Sequence, residues 1–164
     1  MIILGIDPGL AIVGFGVIEY KGNRYRVLDY GTIRTGSKNS FPERLKIIYD
    51  NLTMLIDKYN PEDFAIEELF FNKNVKTAIQ VGQARGVQIL SAINKGLEVY
   101  EYTPLQIKQS VVGYGRADKK QVQEMVKLLL NLKEIPKPDD AADALAVAIC
   151  HSSCLNFKDM FIMK

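Results

Sequence analysis

Acidic side chains at the ends of apolar segments are the residues of this sequence best suited to chemistry. Asp7 closes the apolar stretch of ILGIDPG, and Glu67 stands in FAIEEL, where Glu68 follows it. Such stretches become buried strands, in which a carboxylate must be hydrogen-bonded, paired or bound to a cation to offset its desolvation. Because neighbouring side chains of a strand point to opposite faces, only one of Glu67 and Glu68 can share a face with Asp7. The pattern alone leaves that choice open.

A second acidic group begins the C-terminal segment DDAADALAVAICH. Asp140 and Asp143 are three residues apart, about 60° around a helix axis, so their carboxylates would lie near each other. Asp139 and Asp143, four apart, would also share a helical face. The alternative is that these aspartates only interact with the positive end of the helix dipole, and that Asp7 only begins a turn.

Taken together, the two acidic groups predict a metal site. Four carboxylates that converge without a cation would repel one another and raise one another's pKa values. Oxygen ligands of this type suit Mg²⁺ or Mn²⁺, which bridge protein carboxylates to phosphate oxygens of a substrate. Two such ions, ~4 Å apart, would activate a water for in-line attack on phosphorus and stabilise the leaving 3′-oxygen. The predicted reaction is phosphodiester hydrolysis.

The elements that must position these residues follow an α/β order. Apolar patterning predicts strands and helices in the order β-β-β-α-β-α-β-α, with an extra helix near the end. The first three strands are predicted to be antiparallel, with a hairpin turn at Lys21-Gly22-Asn23. Ser40 and Glu43 have the spacing of a helix capping box, and Asp118 is the predicted cap of a later helix.

Composition limits the kind of protein. A chain of 164 residues that is 48% hydrophobic predicts a single domain over 1–164. Neither a stretch of ~20 apolar residues nor a signal peptide is present, so we expect a cytoplasmic protein without a membrane partner. The net charge of +2 does not by itself indicate a polyanion partner. Cys150 and Cys154 flank the one histidine, and free thiols are expected there rather than a zinc site.

Several motifs spread over nearly the whole chain resemble the RuvC family of Holliday-junction resolvases: ILGIDPGLAIVGFGVI, FAIEELFFNKN, GQARGVQI, VYEYTPLQIKQSVVGYGRADKKQVQ and DDAADALAVAICH. The resemblance implies a ribonuclease-H-like fold, a five-stranded mixed sheet of order 3-2-1-4-5 flanked by helices. It also implies that Mg²⁺, with Mn²⁺ as a substitute and two ions per site, is bound by Asp7, Glu67, Asp140 and Asp143. It thereby selects Glu67 over Glu68 and Asp140 over Asp139.

The predicted DNA contacts lie on a basic flank of this site. Between residues 108 and 133 basic side chains outnumber acidic ones, and such cations would neutralise phosphates without reading sequence. The resemblance implies that Lys108 and Lys119 are the important pair, and that Phe70 is a wedge that unstacks bases at the junction. The other predicted contacts are Lys73, Arg116 and Lys120. Two departures from the family are minor: Leu10 and Val13 replace polar residues, and no basic tail follows Lys164.

The resemblance also carries expectations about partners. The implied substrate is four-way junction DNA, resolved by paired nicks in recombination and repair, with RuvA and RuvB as branch-migration helpers. A junction with two-fold symmetry needs two active sites, so a homodimer is expected. The candidate interface is the helix of VKTAIQVGQARGVQILSAINKG, where Gly82 and Gly86 would let a second helix approach and the polar side of GQARG could pair across the axis. These glycines belong to an apolar stripe of Val75, Ile79, Gly82, Gly86, Ile89 and Ile93. The alternative is that this stripe packs on the chain's own sheet.

Two competing functions remain from the sequence. An actin-like phosphate-handling ATPase also begins with an apolar strand, an acidic residue and a glycine loop, but it needs a second nucleotide-binding half that 164 residues do not supply. The other is a non-catalytic junction-binding protein whose carboxylates are structural, which predicts binding without a Mg²⁺-dependent product.

Overall fold

A five-stranded mixed sheet with helices on both faces is formed by residues 1–69 and 75–164, the part of the chain that the computed structural model describes. The strands are β1 (Ile2–Asp7), β2 (Ile12–Lys21), β3 (Arg24–Arg34), β4 (Asp63–Glu67) and β5 (Val99–Tyr102). The helices are α1 (Phe41–Tyr59), α2 (Val75–Ile93), α3 (Pro104–Val112), α4 (Lys119–Leu129) and α5 (Asp139–Ser153), followed by a 3₁₀ segment at Leu155–Phe161. No helix in this part of the chain is long and apolar enough to cross a membrane.

The strand order is β3-β2-β1-β4-β5, which confirms the predicted topology. β1 pairs antiparallel with β2 and parallel with β4, and β5 is parallel to β4. The turn between β2 and β3 contains Gly22 and Asn23, both with positive φ near +60°, as a tight hairpin requires. Because β1 and β4 are parallel neighbours, their carboxyl ends meet at one edge of the sheet.

The sheet separates two apolar layers. On one face, Ile3 and Ala65 pack with residues of α3, α4 and α5. On the other face, Leu4, Ile6 and Phe64 pack with residues of α1 and α2. Successive residues of β1 therefore point into opposite layers. Asp7 is two residues beyond Gly5 and four beyond Ile3, so it lies on the face that α5 covers.

The predicted helix caps are present. Glu43 donates its backbone N–H to the Ser40 hydroxyl at 3.4 Å and accepts from the Ser40 N–H at 2.7 Å, so the capping box is confirmed. Asp118 likewise accepts from the Gln121 N–H at 2.8 Å at the start of α4. Caps of this kind contribute ~1 kcal/mol each and define where a helix begins.

Glycines in β1 and β2 let α5 lie unusually close to the sheet. A Cβ on Gly5 would collide with the backbone of Ala144, one on Gly14 with the carbonyl of Asp140, and one on Gly16 with the Leu145 side chain. Glycine inside a strand is costly and often marks such a close approach. The approach brings the first turn of α5 to the end of β1, where Asp7 lies.

The other end of α5 is held by a buried polar network. His151, fully buried, shares hydrogen bonds of 2.8 Å with the Asp63 carboxylate and with the Tyr102 hydroxyl. Burial lowers the pKa of His151, although Asp63 opposes this effect. Cys150 and Cys154 are free thiols, as predicted. The network fixes the helix along its axis and so fixes its acidic first turn.

Helix α2 turns a different face inward than the predicted stripe. Among its residues 77–93, the buried ones are Ala84, Gln88, Ser91 and Ala92, whereas Ile79 and Ile93 of the stripe are 58% and 53% exposed. Of the stripe's members, Ile89 packs partly against the core. A Cβ on Gly86 would meet no atom within 4 Å, so the close helix packing expected there does not occur within the described chain. Much of the apolar stripe therefore faces outward.

Candidate active site

Asp7 and Glu67 stand side by side at the carboxyl ends of two parallel strands. Ile6 is paired with Ile66 in the β1–β4 register, so the next residues of the two strands are neighbours. Glu67 follows the same alternation as Ala65, which packs in the α5 layer, so its side chain shares the face of Asp7. Glu68 lies beyond the end of β4, where its N–H donates to the Tyr102 carbonyl at 2.8 Å.

The first turn of α5 brings Asp140 and Asp143 to the same place. Their charges act on Asp7, and the charge of Asp143 also acts on Glu67. The close approach of the Asp140 backbone to Gly14, the pairing partner of Asp7, explains this proximity. The four carboxylates predicted from sequence are thus brought together on one face of the sheet.

Burial and repulsion between carboxylates shift the pKa of Asp7 more than that of Glu67. The pKa of Asp7 is raised from 3.8 to about 8, mainly by burial and then by the charges of Glu67, Asp143 and Asp140, while Lys119 acts in the opposite direction. A carboxyl group this disturbed is a marker of functional sites, because evolution seldom keeps such a cost in a purely structural position. In the absence of a bound cation, Asp7 is largely protonated at neutral pH.

Glu67 and Asp143 are disturbed in the same direction. Burial and then the charge of Asp143 raise the pKa of Glu67 to about 7, against the opposing effect of Lys108 and Lys119. Burial also raises the pKa of Asp143, although the charge and hydrogen bond of Lys119 lower it. The acidic site therefore lacks enough positive charge within the described chain to ionise all its carboxyl groups at neutral pH.

Lys119 connects the site to Asp139. Its ammonium lies 3.2 Å from Asp143 and 3.3 Å from Asp139. Asp139 is 61% exposed, and its hydrogen bond with Lys119 lowers its pKa, the opposite direction to the shift of Asp143. Asp139 thus faces Lys119 and solvent, whereas Asp140 is partly buried and acts on Asp7.

Two clefts border the four carboxylates. The first, about 310 Å³, is lined by Glu67 and Asp143 together with Lys108 and Lys119. The second, about 510 Å³, is lined by Asp7 and Asp140 together with Arg44. The first cleft combines two carboxylates with two lysines and the second combines two carboxylates with one arginine, an arrangement suited to receive a phosphate beside a metal site.

The donor set fits a hard divalent cation. Four carboxylates supply only oxygen ligands, and a cation would offset the burial and repulsion that raise the pKa values of Asp7 and Glu67. Within residues 1–69 and 75–164, no three acidic, histidine or cysteine side chains already stand close enough to hold one ion.

The residues predicted to contact DNA lie in several parts of the chain. Lys108 and Lys119 line the first cleft. Arg116 is exposed in the loop before α4, and Lys120 lines a separate cleft of about 390 Å³ between α3 and α4. Phe70 and Lys73 lie outside the described residues, so their roles stay predictions.

Two polar residues on the inner side of α2 support the strand ends and were not singled out from sequence. Arg85 donates to the Glu67 carbonyl at 3.4 Å and forms an ion pair with Glu101. Gln88, fully buried, donates to the Gly9 carbonyl at 2.9 Å, just after Asp7. Arg85 therefore already has partners within the chain, and the pairing of GQARG across a dimer axis stays a prediction. The signal in the sequence that could have identified Arg85 and Gln88 is a polar residue in a helix that packs on a sheet.

Comparisons with known proteins identify similar chains. The family model for the crossover junction endodeoxyribonuclease RuvC matches residues 3–151. The crossover junction endodeoxyribonuclease RuvC of Alkaliphilus oremlandii is 66% identical over 164 residues, covering 100% of both chains. Two solved structures, of Thermus thermophilus RuvC and of its complex with a Holliday junction substrate, are each 37% identical, with TM-scores of 0.87 and 0.90. The first match covers 95% of this chain and 96% of the other, and the second covers 94% of each.

Proposed function

Because this chain belongs to the RuvC family of crossover junction endodeoxyribonucleases, we propose that Asp7, Glu67, Asp140 and Asp143 form its active site. The chain is a nuclease with a ribonuclease-H-like fold that resolves Holliday junctions. The observation that carries the active-site proposal is the meeting of four carboxylates on one sheet face, with the pKa of Asp7 raised to about 8. Neither a non-catalytic junction-binding protein nor an actin-like ATPase is favoured by the comparisons.

The proposed cofactors are two Mg²⁺ ions, for which Mn²⁺ can substitute. Bound divalent ions would activate a water for attack on phosphorus and stabilise the leaving 3′-oxygen. The four side chains would bind the ions, and Asp7 and Glu67, whose pKa values are raised, would lose their protons in doing so, because the cation favours the ionised form. Lys108 and Lys119, on the first cleft, would orient the scissile phosphate by neutralising its oxygens.

Cleavage of synthetic four-way junctions with and without divalent ions tests this function. With Mg²⁺, we expect two nicks at symmetric positions in strands of like polarity, and none when the ion is removed with EDTA. A linear duplex that repeats the sequence of the arms is the matched control and should stay intact. Junction binding without any Mg²⁺-dependent product would contradict the catalytic proposal and favour a junction-binding protein.

Assembly into a C2 dimer would supply the second active site that a two-fold symmetric junction needs. The outward side of α2 supports this proposal, because Ile79, Leu90 and Ile93 expose 58%, 49% and 53% of their surfaces on one side of the helix. Gly86 lies in the same stripe with open space where a Cβ would be. A second copy of α2 could therefore approach closely and cover this apolar surface.

Leu90→Glu is expected to convert the dimer to a monomer, because a charge would be buried in an apolar interface. Leu128→Glu is the matched control: Leu128 is 71% exposed on α4, away from the stripe. Sedimentation should give a monomer for the first variant and a dimer for the second. On a supercoiled cruciform, the dimer should yield linear product in one binding event, whereas the monomer should release nicked circles. Unchanged sedimentation of Leu90→Glu would exclude this interface.

The cellular setting follows from the family. We propose that the protein acts in the cytoplasm, in homologous recombination and DNA repair, with RuvA and RuvB as the branch-migration partners that deliver junctions to it. The whole of residues 1–164 is proposed to form a single nuclease domain.

A further inference from the structure

The second cleft contains a basic residue that the catalytic proposal does not use. This cleft lies between the loop of residues 8–11 and the two helices α1 and α2. Asp7 and Asp140 line its acidic side, and Arg44 is its one basic lining residue among those described. The cleft therefore borders Asp7 and Asp140, whereas the first cleft, which Lys108 and Lys119 line, borders Glu67 and Asp143.

Arg44 is held in place by a short chain of hydrogen bonds. Its Nε donates to the Thr35 hydroxyl at 2.8 Å, and that hydroxyl donates to the Leu10 carbonyl at 2.6 Å. Thr35 is 7% exposed, so this anchor is protected from water. The guanidinium is thus attached to the loop that follows Asp7, and the position of one depends on the other.

Within residues 1–69 and 75–164, the terminal nitrogens of Arg44 have no carboxylate partner, and only its Nε donates a side-chain hydrogen bond. A planar guanidinium suits two oxygens of a phosphate. A partly buried arginine that lines a cleft without a carboxylate partner indicates an anionic ligand.

The geometry points to Arg44 as a phosphate subsite, which binds a DNA phosphate adjacent to the scissile one on the Asp7 side of the active site. This inference rests on the proposed active site. A DNA strand carries a phosphate for about every 3.4 Å of helix axis, so a strand with one phosphate at the carboxylates must place others in the flanking clefts. Lys108 and Lys119 serve one side of the scissile phosphate, and Arg44 serves the other.

The salt dependence of junction binding, measured in EDTA, tests the subsite without using catalysis. Loss of one phosphate contact is expected to reduce the slope of log affinity against log salt by ~1 for Arg44→Gln, and affinity by about tenfold. Arg44→Lys keeps the charge and should recover most of the slope. Arg26→Gln is the control, because Arg26 pairs with Glu19 at the opposite end of β2 and should leave both values unchanged.

Replacing single phosphates of the substrate by uncharged groups identifies the phosphate that Arg44 contacts. Once the cleaved bond is mapped, single methylphosphonates are placed at the phosphates on either side of it. One of these methylphosphonates should weaken binding of the unaltered protein. The same methylphosphonate should not weaken the binding of Arg44→Gln any further.

If Arg44→Gln lowers the melting temperature but keeps the full salt slope, and its effect adds to that of every methylphosphonate, Arg44 only supports the loop and the inference is overturned. If the unaltered protein fails to cleave junctions in Mg²⁺, the proposed active site fails instead, whatever the binding slopes show.

Discussion

Replacing Asp7 by asparagine or Glu67 by glutamine is expected to reduce junction cleavage by at least ~10²-fold, while junction binding persists. Each amide keeps the shape of the side chain but removes a negative charge from the site where Asp7, Glu67 and Asp143 repel one another. A cation would then lose an anionic ligand, and the water and leaving oxygen would lose their activation. Single-turnover cleavage and a binding measurement in EDTA separate the two effects, and binding could tighten because the acidic site repels phosphate less.

Glu68→Gln and Asp139→Asn are the matched controls for this experiment. Glu68 and Asp139 are the sequence neighbours of proposed ligands. Both substitutions replace a carboxylate by an amide, as in the test variants. Asp139 faces Lys119 and solvent, and Glu68 lies beyond β4, so both variants should retain most of the activity. Near-normal cleavage by Asp7→Asn and Glu67→Gln, or a larger loss in the controls, would show that the ligands were assigned to the wrong faces.

Without divalent ions, Asp7 is expected to make the fold less stable as the pH rises. Its pKa is about 8 in the folded chain and near 3.8 when unperturbed, so between these values the folded state binds more protons than the unfolded state. The free energy of unfolding therefore falls as the pH rises from about 4 to 8, and the penalty is complete above that range. Glu67 acts in the same direction between its ordinary 4.5 and about 7.

Asp7→Asn should remove this penalty. At pH 8 in EDTA, we expect the variant to be more stable than the unaltered protein by at least ~1 kcal/mol, or about 2–4 °C in melting temperature. At pH 4 the difference should vanish, because the carboxyl group is then protonated in the folded state. Adding Mg²⁺ or Mn²⁺ at pH 8 should raise the melting temperature of the unaltered protein more than that of Asp7→Asn.

The control for this stability experiment is Asp139→Asn. The hydrogen bond with Lys119 lowers the pKa of Asp139, so its ionised form is favoured in the folded state and its removal should give no gain at pH 8. Equal melting temperatures for Asp7→Asn and the unaltered protein across pH 4–8 would contradict the electrostatic account of the site.

The sequence by itself determined the elements and the kind of chemistry. Local signals act over a few residues: Ser40 and Glu43 define a helix start, Gly22 and Asn23 define a hairpin, and apolar stretches define the strands. These signals depend on backbone preferences and short-range hydrogen bonds, which the chain carries wherever it folds. The motifs around the carboxylates identified the family, and the family predicted the strand order, which the structure confirms.

Which residues meet was decided only by the tertiary structure. The local pattern does not separate Glu67 from Glu68, or Asp139 from Asp140; only the resemblance chose between them. The physical reason for the choice is which sheet face α5 covers, and that depends on glycines in strands distant in sequence. The same holds for Arg85, Gln88 and Arg44, whose partners lie 9 to 79 residues away along the chain. The pKa shift of Asp7 likewise exists only once burial and neighbouring charges are assembled around it. Packing, desolvation and long-range charge are properties of the folded chain, so no local pattern contains them.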